Sequence, residues 1–384
     1  MIEQIAIRNY KSLRDICIKM GPLSVLIGPN ESGKSNLLDV FAFLRDFVVK
    51  GEEALSKRGG FETLVWAGNA SQNICFNTKG SLQIHGKSHS FEYGLELAGT
   101  RYGSASIAKE VFSLYHGGEF RKLLELAAGD STAYMYDLEG KKLGGFGSGR
   151  VQSSLANVQP WGQSEFIAAF ATEVRQWEVY DPVPALMRMK MPAKKELKLS
   201  AQGENLATVL HTLHSEFPED FKKIEDYLRM LVPENRQLLS FLTEEGQTYP
   251  GMLLEAIPFK IPAMSFSDGT LRLLAFLTIV YSPDSTPLVC FEEPENYIHP
   301  HGLELIVDLL KQASTRRQVL ATTHSPHVLN FVPADRVFVL EKDNGATKIN
   351  PASSKKHLKS LLKQVGLGEA WYAGSLGGVP RRPS

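Results

Sequence analysis

Gly28, Pro29, Asn30, Glu31, Ser32, Gly33, Lys34 and Ser35 fit the spacing G-x-x-x-x-G-K-[ST]. Glycines in such a loop let backbone N–H groups curl around phosphate oxygens. A helix beginning at the loop adds partial positive charge at the same place. Lys34 is then set to reach the β- and γ-phosphates of a nucleotide, and Ser35 to hold Mg2+. Asn36 follows directly and belongs to the same nucleotide-binding stretch. Residues 287–293, PLVCFEE, are an apolar run ending in two carboxylates. Taken alone this would be a solvated strand end. Beside a phosphate loop, Glu292 is placed to orient the Mg2+ shell and Glu293 to polarise an attacking water, a general-base role that contributes ~10²–10⁴-fold.

Two further clusters join them. Ser267, Asp268, Gly269 and Thr270 stand directly before the apolar run LRLLAFLTIVY. A small hydroxyl and a glycine at a helix start suit an anion, although Ser or Asp there also serves as a plain N-cap. Thr322-Thr323-His324-Ser325 ends an apolar run. A histidine at a carboxyl-terminal strand edge lies where ligands of open α/β sheets bind, and can hydrogen-bond a γ-phosphate.

The elements that must position these groups can be read from periodicity. LSVLI at 23–27, between Gly21-Pro22 and Gly28-Pro29, is a buried strand, and residues 34–49 have the apolar spacing of a helix. Ile2, Ile5 and Ile7, then Leu13, Ile16 and Ile18, alternate as an antiparallel pair. Residues 60–150 read as a β-rich meander, 164–180 as a helix ending before Asp181-Pro182, and 204–231 as helices broken near Pro218. From residue 261 α/β character returns. Helices are expected over 270–281 and 301–313, strands over 287–291, 317–322 and 336–341, and a Lys-rich helix near 354–364. A Gly/Pro/Arg tail follows, in which Trp371 and Tyr372 are candidates to dock. No heptad pattern is sustained long enough for a coiled coil.

The composition excludes several classes. The 384 residues carry 42 Lys+Arg against 42 Asp+Glu, so nucleic-acid binding, if present, needs a local patch. Hydrophobic residues at 43% exclude a disordered chain. Cys17, Cys75 and Cys290 are far apart and show no metal spacing, which fits a reducing cytoplasm. No signal-peptide core and no window of ~18 uncharged apolar residues is present, so no membrane insertion is expected.

The order of phosphate loop, Ser267 cluster, acidic strand end and His324 resembles the ABC-type ATPases, in the branch that includes SMC-like, RecF-like and OLD-like proteins. AMSFSDGT at 263–270 resembles the signature motif, CFEEPENYIHPH at 290–301 the Walker B strand, catalytic glutamate and D-loop, and VLATTHSP at 319–326 the switch region. The opening IAIRNYKSL is similar to the first strands of the group, which would put Lys11 and Ser12 near the nucleotide. The resemblance covers roughly residues 1–50 and 260–345. Glu292 replaces the more general Asp, as in the OLD-like branch, and His299 stands where many ABC proteins have the D-loop Asp. Gln72, Gln83, Gln159 and Gln163 are all candidates for the Q-loop glutamine.

The resemblance implies an α/β P-loop NTPase of ABC type with a mixed sheet. Its core would be formed by residues 1–60 and 261–350, with a β-meander and helical lobe inserted at 61–260 and a C-terminal helix and tail at 351–384. It implies ATP and Mg2+, with Glu293 and His324 in catalytic roles. Ser267, Asp268, Gly269 and Thr270 would contact nucleotide across a homodimer, because one chain has one copy of each motif. In this branch the ATP state is coupled to nucleic acid or to a separate effector, such as a nuclease, in DNA repair or phage defence. After Glu341 only 43 residues remain and no Asp-x-Asp cluster follows, so a nuclease is expected in a partner protein. Residues 187–198 supply a candidate DNA patch in Arg188, Lys190, Lys194, Lys195 and Lys198 against Glu196. A transporter's nucleotide-binding subunit would use the same ATP chemistry, but the interval of over 230 residues between Ser35 and Ser267 is larger than that role needs. A non-catalytic ATP sensor or scaffold is the third reading, against which Glu293 argues for turnover.

Overall fold

The structure is a computed structural model of the 384-residue chain and describes residues 1–100, 103–149, 151–158, 164–256, 259–356 and 358–379. The chain forms two compact units. One comprises residues 1–177, 334–365 and 369–384, the other residues 178–333 and 366–368.

The first unit is built on an eight-stranded antiparallel sheet. Its order is Leu13–Lys19, Ile2–Tyr10, Ile74–Ile84, Lys87–Gly99, Ala105–His116, Glu119–Leu126, Thr132–Tyr136 and Lys142–Gly147. The strands follow each other through tight turns because the chain supplies residues that accept positive φ. His85 (φ 51°) and Gly86 (φ 75°) join one pair, and Gly117 (φ 61°) and Gly118 (φ 94°) another, the two-residue pattern that suits the strands' twist. Alternate residues face the core, where Phe91 and Phe112 pack on Phe170 of the helix Glu165–Gln176. Tyr10 and Phe76 meet Phe43 of the helix Lys34–Lys50. Nine residues of that helix are buried, at the spacing read from the sequence, and it ends at Gly51 (φ 58°), whose N–H bonds the Phe47 carbonyl.

The fully buried strand Leu23–Ile27 leads into the phosphate loop. It pairs in parallel with Val337–Asp343, which turns through Asn344-Gly345 and pairs antiparallel with Ala346–Pro351. This C-terminal hairpin therefore lies beside the loop, three hundred residues away in sequence.

In the second unit, Glu178–Tyr180, Leu288–Phe291 and Gln318–Thr323 form parallel neighbours in that order. The last two are buried along their whole length, as parallel strands covered on both faces should be. The helices Leu206–Glu216, Pro218–Leu231, Asp268–Tyr281 and Leu303–Ala313 belong to this unit, as does a small antiparallel sheet of Met191–Pro192, Gln247–Leu254, Asn235–Leu242 and Lys260–Pro262.

The opening hairpin, the meander and the helix break at Pro218 match the expected elements. Two expectations are corrected. The helix expected over 164–180 stops at Gln176, and Glu178–Tyr180 is a strand; three residues are too short to display a period of two. The Lys-rich stretch 354–364 is helical only over Leu358–Leu361; Lys355, Lys356 and Lys363 are exposed and Leu358 is its buried anchor. The meander packs in the same unit as the phosphate-loop residues. Of the two tail aromatics, Trp371 docks, its indole N–H donating to the Gly378 carbonyl at 3.0 Å, whereas Tyr372 is 81% exposed. Among the described residues no helix is long and apolar enough to cross a membrane.

Candidate nucleotide site

The phosphate-loop residues lie in the first unit. Gly28 (φ 153°) and Gly33 (φ 104°) hold conformations that a side chain would strain. Both also touch neighbours too closely for a Cβ. One on Gly28 would drive into the Leu340 carbonyl oxygen and sit 2.7 Å from Ser32 Oγ, and one on Gly33 would collide with Thr347 Oγ1 and lie 2.9 Å from Ser12 Oγ. Between them Glu31 is also left-handed (φ 63°), which bends the loop into a cradle. Lys34 is buried and its Nζ donates to the carbonyls of Gly28 (2.9 Å) and Pro29 (3.0 Å), inside the curl of the loop. Among the described residues Ser32 Oγ, which is buried, has no hydrogen-bond partner. A buried hydroxyl left unpaired costs about 1–3 kcal/mol, so an orphan at this position fits a loop built to receive polar phosphate oxygens. Ser35 follows at the exposed start of the helix.

Lys11 and Ser12 are engaged around the loop. Lys11 (φ 49°) donates from Nζ to Asp39 Oδ2 at 2.6 Å. The same carboxylate accepts from the Tyr10 hydroxyl (2.6 Å) and from Arg58 Nε (2.8 Å). Burial by itself pushes the Asp39 pKa up, but the Arg58 charge and the bonds from Lys11 and Tyr10 outweigh it and hold the carboxyl below the usual carboxylate range. Ser12 Oγ sits 2.7 Å from Thr347 Oγ1 and accepts from Asn36 Nδ2 at 2.8 Å.

The acidic residues lie in the second unit. Glu292 continues the strand, its N–H bonding the Tyr180 carbonyl at 3.2 Å. The chain then turns sharply, and Glu293 holds φ 46°, a conformation that costs an ordinary side chain ~1–3 kcal/mol and clusters at functional sites. Three neighbours fix Glu293. Its N–H bonds Thr322 Oγ1 (3.1 Å), its Oε2 accepts from Asn296 Nδ2 (2.8 Å), and its Oε1 lies 3.4 Å from His324 Nε2. The expected catalytic pair is thus side by side and half-buried. Beneath it, the buried Glu295 accepts from the Thr323 hydroxyl and from the His324 N–H (3.3 Å) through one oxygen, while its other oxygen has no partner. Burial raises the Glu295 pKa, with the nearby Glu293 charge adding to it, against the lowering effect of those hydrogen bonds.

Ser267 caps the helix Asp268–Tyr281: its Oγ accepts from the Thr270 N–H at 3.1 Å. The plain capping role is therefore realised, and the segment remains exposed. Gly269 packs against the Tyr297 backbone so closely that a Cβ would enter the Tyr297 carbonyl oxygen. Arg188, read from the sequence as part of a basic patch, donates to the Phe266 carbonyl (2.8 Å) and to Asp268 Oδ1 (2.7 Å). The other patch cations also have partners. Lys194 pairs with Glu196 (2.5 Å), Lys195 with Glu216 and Lys198 with Glu178 (2.9 Å), while Lys190 lies 5.4 Å above the Tyr249 ring. Of the Q-loop candidates, Gln72 has a buried Oε1 without a hydrogen-bond partner among the described residues and Gln83 is exposed on a strand; Gln159 and Gln163 lie outside the described residues. His299 is exposed and caps a short turn.

The first unit thus brings together residues 28–36 with Lys11 and Ser12, and the second brings together Glu292, Glu293 and His324, and separately Ser267–Thr270 with Tyr297. Sequence reasoning missed Thr347, Asp39, Arg58 and Glu295. Only Glu295 had a local signal, as the second carboxylate of Glu293-Pro294-Glu295. Among the described residues no cluster of three or more His, Cys, Asp or Glu could hold a metal unaided.

Residues 23–330 match the model of a family described as "AAA domain, putative AbiEii toxin, Type IV TA system". The chain is also similar to two proteins named chromosome partition protein Smc. The one from Pyrococcus furiosus is 22% identical over 200 residues, covering 49% of this chain and 17% of that protein. The one from Methanocaldococcus jannaschii is 25% identical over 166 residues, covering 41% and 13%. The chain thus spans less than a fifth of the length of these relatives. A crystal structure of an Smc head bound to the C-winged helix domain of ScpA aligns over 93% of this chain and 99% of its own, with TM-score 0.56 and 14% identity. A Pyrococcus furiosus Smc head with an extended coiled coil, bound to the C-terminal domain of ScpA, aligns over 94% and 98%, with TM-score 0.54 and 14% identity. At that identity the likeness establishes the fold alone, that of an Smc head.

Proposed function

The chain belongs to this AAA-domain family and has the head fold of ABC/SMC-like ATPases, and from that premise we propose that it hydrolyses ATP as an ATP-clasped pair of identical chains. The observation that carries the reading is the pairing of Glu293 with His324 at a strained strand end, in a chain whose phosphate loop is glycine-bent around a buried lysine. The loop N–H groups, Lys34 and Ser35 bind the phosphates. Glu293 accepts a proton from the attacking water, and His324 steadies that carboxylate and senses the γ-phosphate. Mg2+, when bound, supplies neutralising charge for the phosphates. Glu292 orients its shell.

Ser267, Asp268, Gly269 and Thr270 complete the nucleotide site of a second chain in this proposal. The exposed Met264 and Tyr297, each 69% accessible, support that role, since they leave apolar surface beside the signature for a partner to cover. We place the protein in the OLD-like and RecF-like part of the branch, in the cytoplasm. There its ATP cycle is read by nucleic acid or by a separate effector such as a nuclease, in DNA repair or phage defence. Because Arg188, Lys194, Lys195 and Lys198 are already paired with carboxylates, nucleic acid would have to compete for them, and its binding should be weak and salt-sensitive.

The test is sedimentation of Glu293→Gln with and without Mg2+-ATP. Slowing hydrolysis should trap the nucleotide and convert monomer to dimer. A variant that binds ATP and stays monomeric would refute the clasped pair.

A further inference from the structure

Thr347 lies on the C-terminal hairpin strand Ala346–Pro351, outside every motif in the sequence. It is 3% exposed, and Ser32 is 1% exposed. Its hydroxyl donates to the Ser32 carbonyl at 2.9 Å, and its N–H donates to the Ser12 carbonyl at 2.8 Å. The contact of Thr347 Oγ1 with Ser12 Oγ (2.7 Å) and the bond from Asn36 Nδ2 to Ser12 Oγ (2.8 Å) extend this into a chain.

The direction of that chain is fixed by chemistry. A carbonyl oxygen only accepts, so Thr347 spends its one proton on Ser32. Ser12 must then donate to Thr347, and Asn36 must donate to Ser12. The sequence of bonds runs one way, from the first turn of the helix, through the opening hairpin and the C-terminal hairpin, to the carbonyl of the loop. Each of the two hydroxyls in it donates once and accepts once, so neither proton is left without an acceptor.

The consequence for the loop follows from the planar trans peptide, in which C=O and N–H point in opposite directions. Tying the Ser32 carbonyl to Thr347 turns the Gly33 N–H to the opposite side of the same peptide. We propose that Thr347 is a positioning residue for nucleotide binding: its hydroxyl holds the Ser32–Gly33 peptide so that the Gly33 N–H is presented to phosphate. Gly33 belongs to the same device, because a Cβ there would occupy the space of the Thr347 hydroxyl. This inference rests on reading residues 28–35 as a phosphate cradle.

The experiment is titration of the full chain with Mg2+-ATPγS by calorimetry, alongside steady-state ATP hydrolysis and thermal melting. Thr347→Val keeps the shape and deletes the donor, and also strands the Ser12 proton. Its Kd and KM should rise about tenfold or more while kcat changes by less than about threefold, because phosphates are gripped alike before and during reaction. Thr347→Ser restores the hydroxyl and should bind within about twofold of wild type. Ser12→Ala cuts the chain at its middle and should weaken binding in the same way, with the Ser12→Ala/Thr347→Val pair no worse than Thr347→Val alone. If Thr347→Val does not fold, Ser12→Ala carries the same test. Undiminished binding by the folded donor-less variant, or failure of Thr347→Ser to rescue it, overturns the inference while leaving the cradle intact. A wild type that binds no nucleotide removes the cradle, and the inference with it.

Discussion

Gly269→Ala is a small change with a calculable reach. An added Cβ would enter the carbonyl oxygen of Tyr297 and stand 3.4 Å from the Tyr297 carbonyl carbon. The obstacle is backbone, so no side chain can swing aside. The methyl must retreat by about 1 Å to reach ordinary contact, which shifts either the start of the helix Asp268–Tyr281 or the Glu293–Tyr297 segment. The second is already strained at both ends, with Glu293 at φ 46° and Tyr297 at φ 67°. Overpacking of this kind costs about 1–3 kcal/mol of stability. A displacement of about 1 Å at a reacting group costs up to ~10²-fold in rate. Phosphate release and nucleotide affinity, measured together, should show kcat down by about 10–100-fold with ATP affinity little changed, since the phosphate loop is untouched. Gly147→Ala, with no atom within 4 Å of its Cβ, is the control and should keep wild-type kcat. A Gly269→Ala protein with wild-type kcat would refute the reasoning that this contact sets the geometry of the signature and the catalytic glutamate.

Two further outcomes are expected from buried charge. The raised pKa of Glu295 means that the native state holds its proton more tightly than the unfolded chain does. Its contribution to stability is therefore present at low pH and is lost as pH rises from about 4.5 through the raised value. Glu295→Gln keeps an acceptor for Thr323 and His324 and removes the ionisation, so in urea denaturation it should gain on wild type as pH increases from 4 to 8; parallel pH curves would contradict this. Asp39 has the opposite sign. Its lowered pKa gives stability that is full above its usual value of 3.8 and lost as pH falls below it. Asp39→Asn should cost about 1–3 kcal/mol at pH 7, lost with the bonds to Arg58 and Lys11, and the deficit against wild type should shrink in acid.

What the sequence disclosed divides by distance along the chain. The phosphate loop, the acidic strand end and the Thr-His-Ser turn are each contiguous, and their chemistry depends on neighbouring residues, so their spacing alone identified them. The helix Lys34–Lys50 was equally legible because nine of its residues recur on one buried face. The supports around these motifs were not. Thr347 meets Ser12 across 335 residues and Ser32 across 315, and Arg58 reaches Asp39 only because the chain doubles back after Gly51. Arg188 shows the same limit from the other side. The sequence groups it with Lys190, Lys194, Lys195 and Lys198, and its partners, Phe266 and Asp268, lie about eighty residues further on. The strand Glu178–Tyr180 was hidden because its three residues earn their place by pairing with Leu288–Phe291 rather than by any pattern of their own.

The central claim is ATP turnover by a clasped pair, and phosphate release measured across a range of protein concentrations tests it most directly. Wild type should hydrolyse ATP with a specific activity that climbs with protein concentration until the pair is saturated, while Lys34→Ala remains at background throughout. Phosphate release no greater than that of Lys34→Ala, or a specific activity independent of concentration down to full dilution, would contradict it.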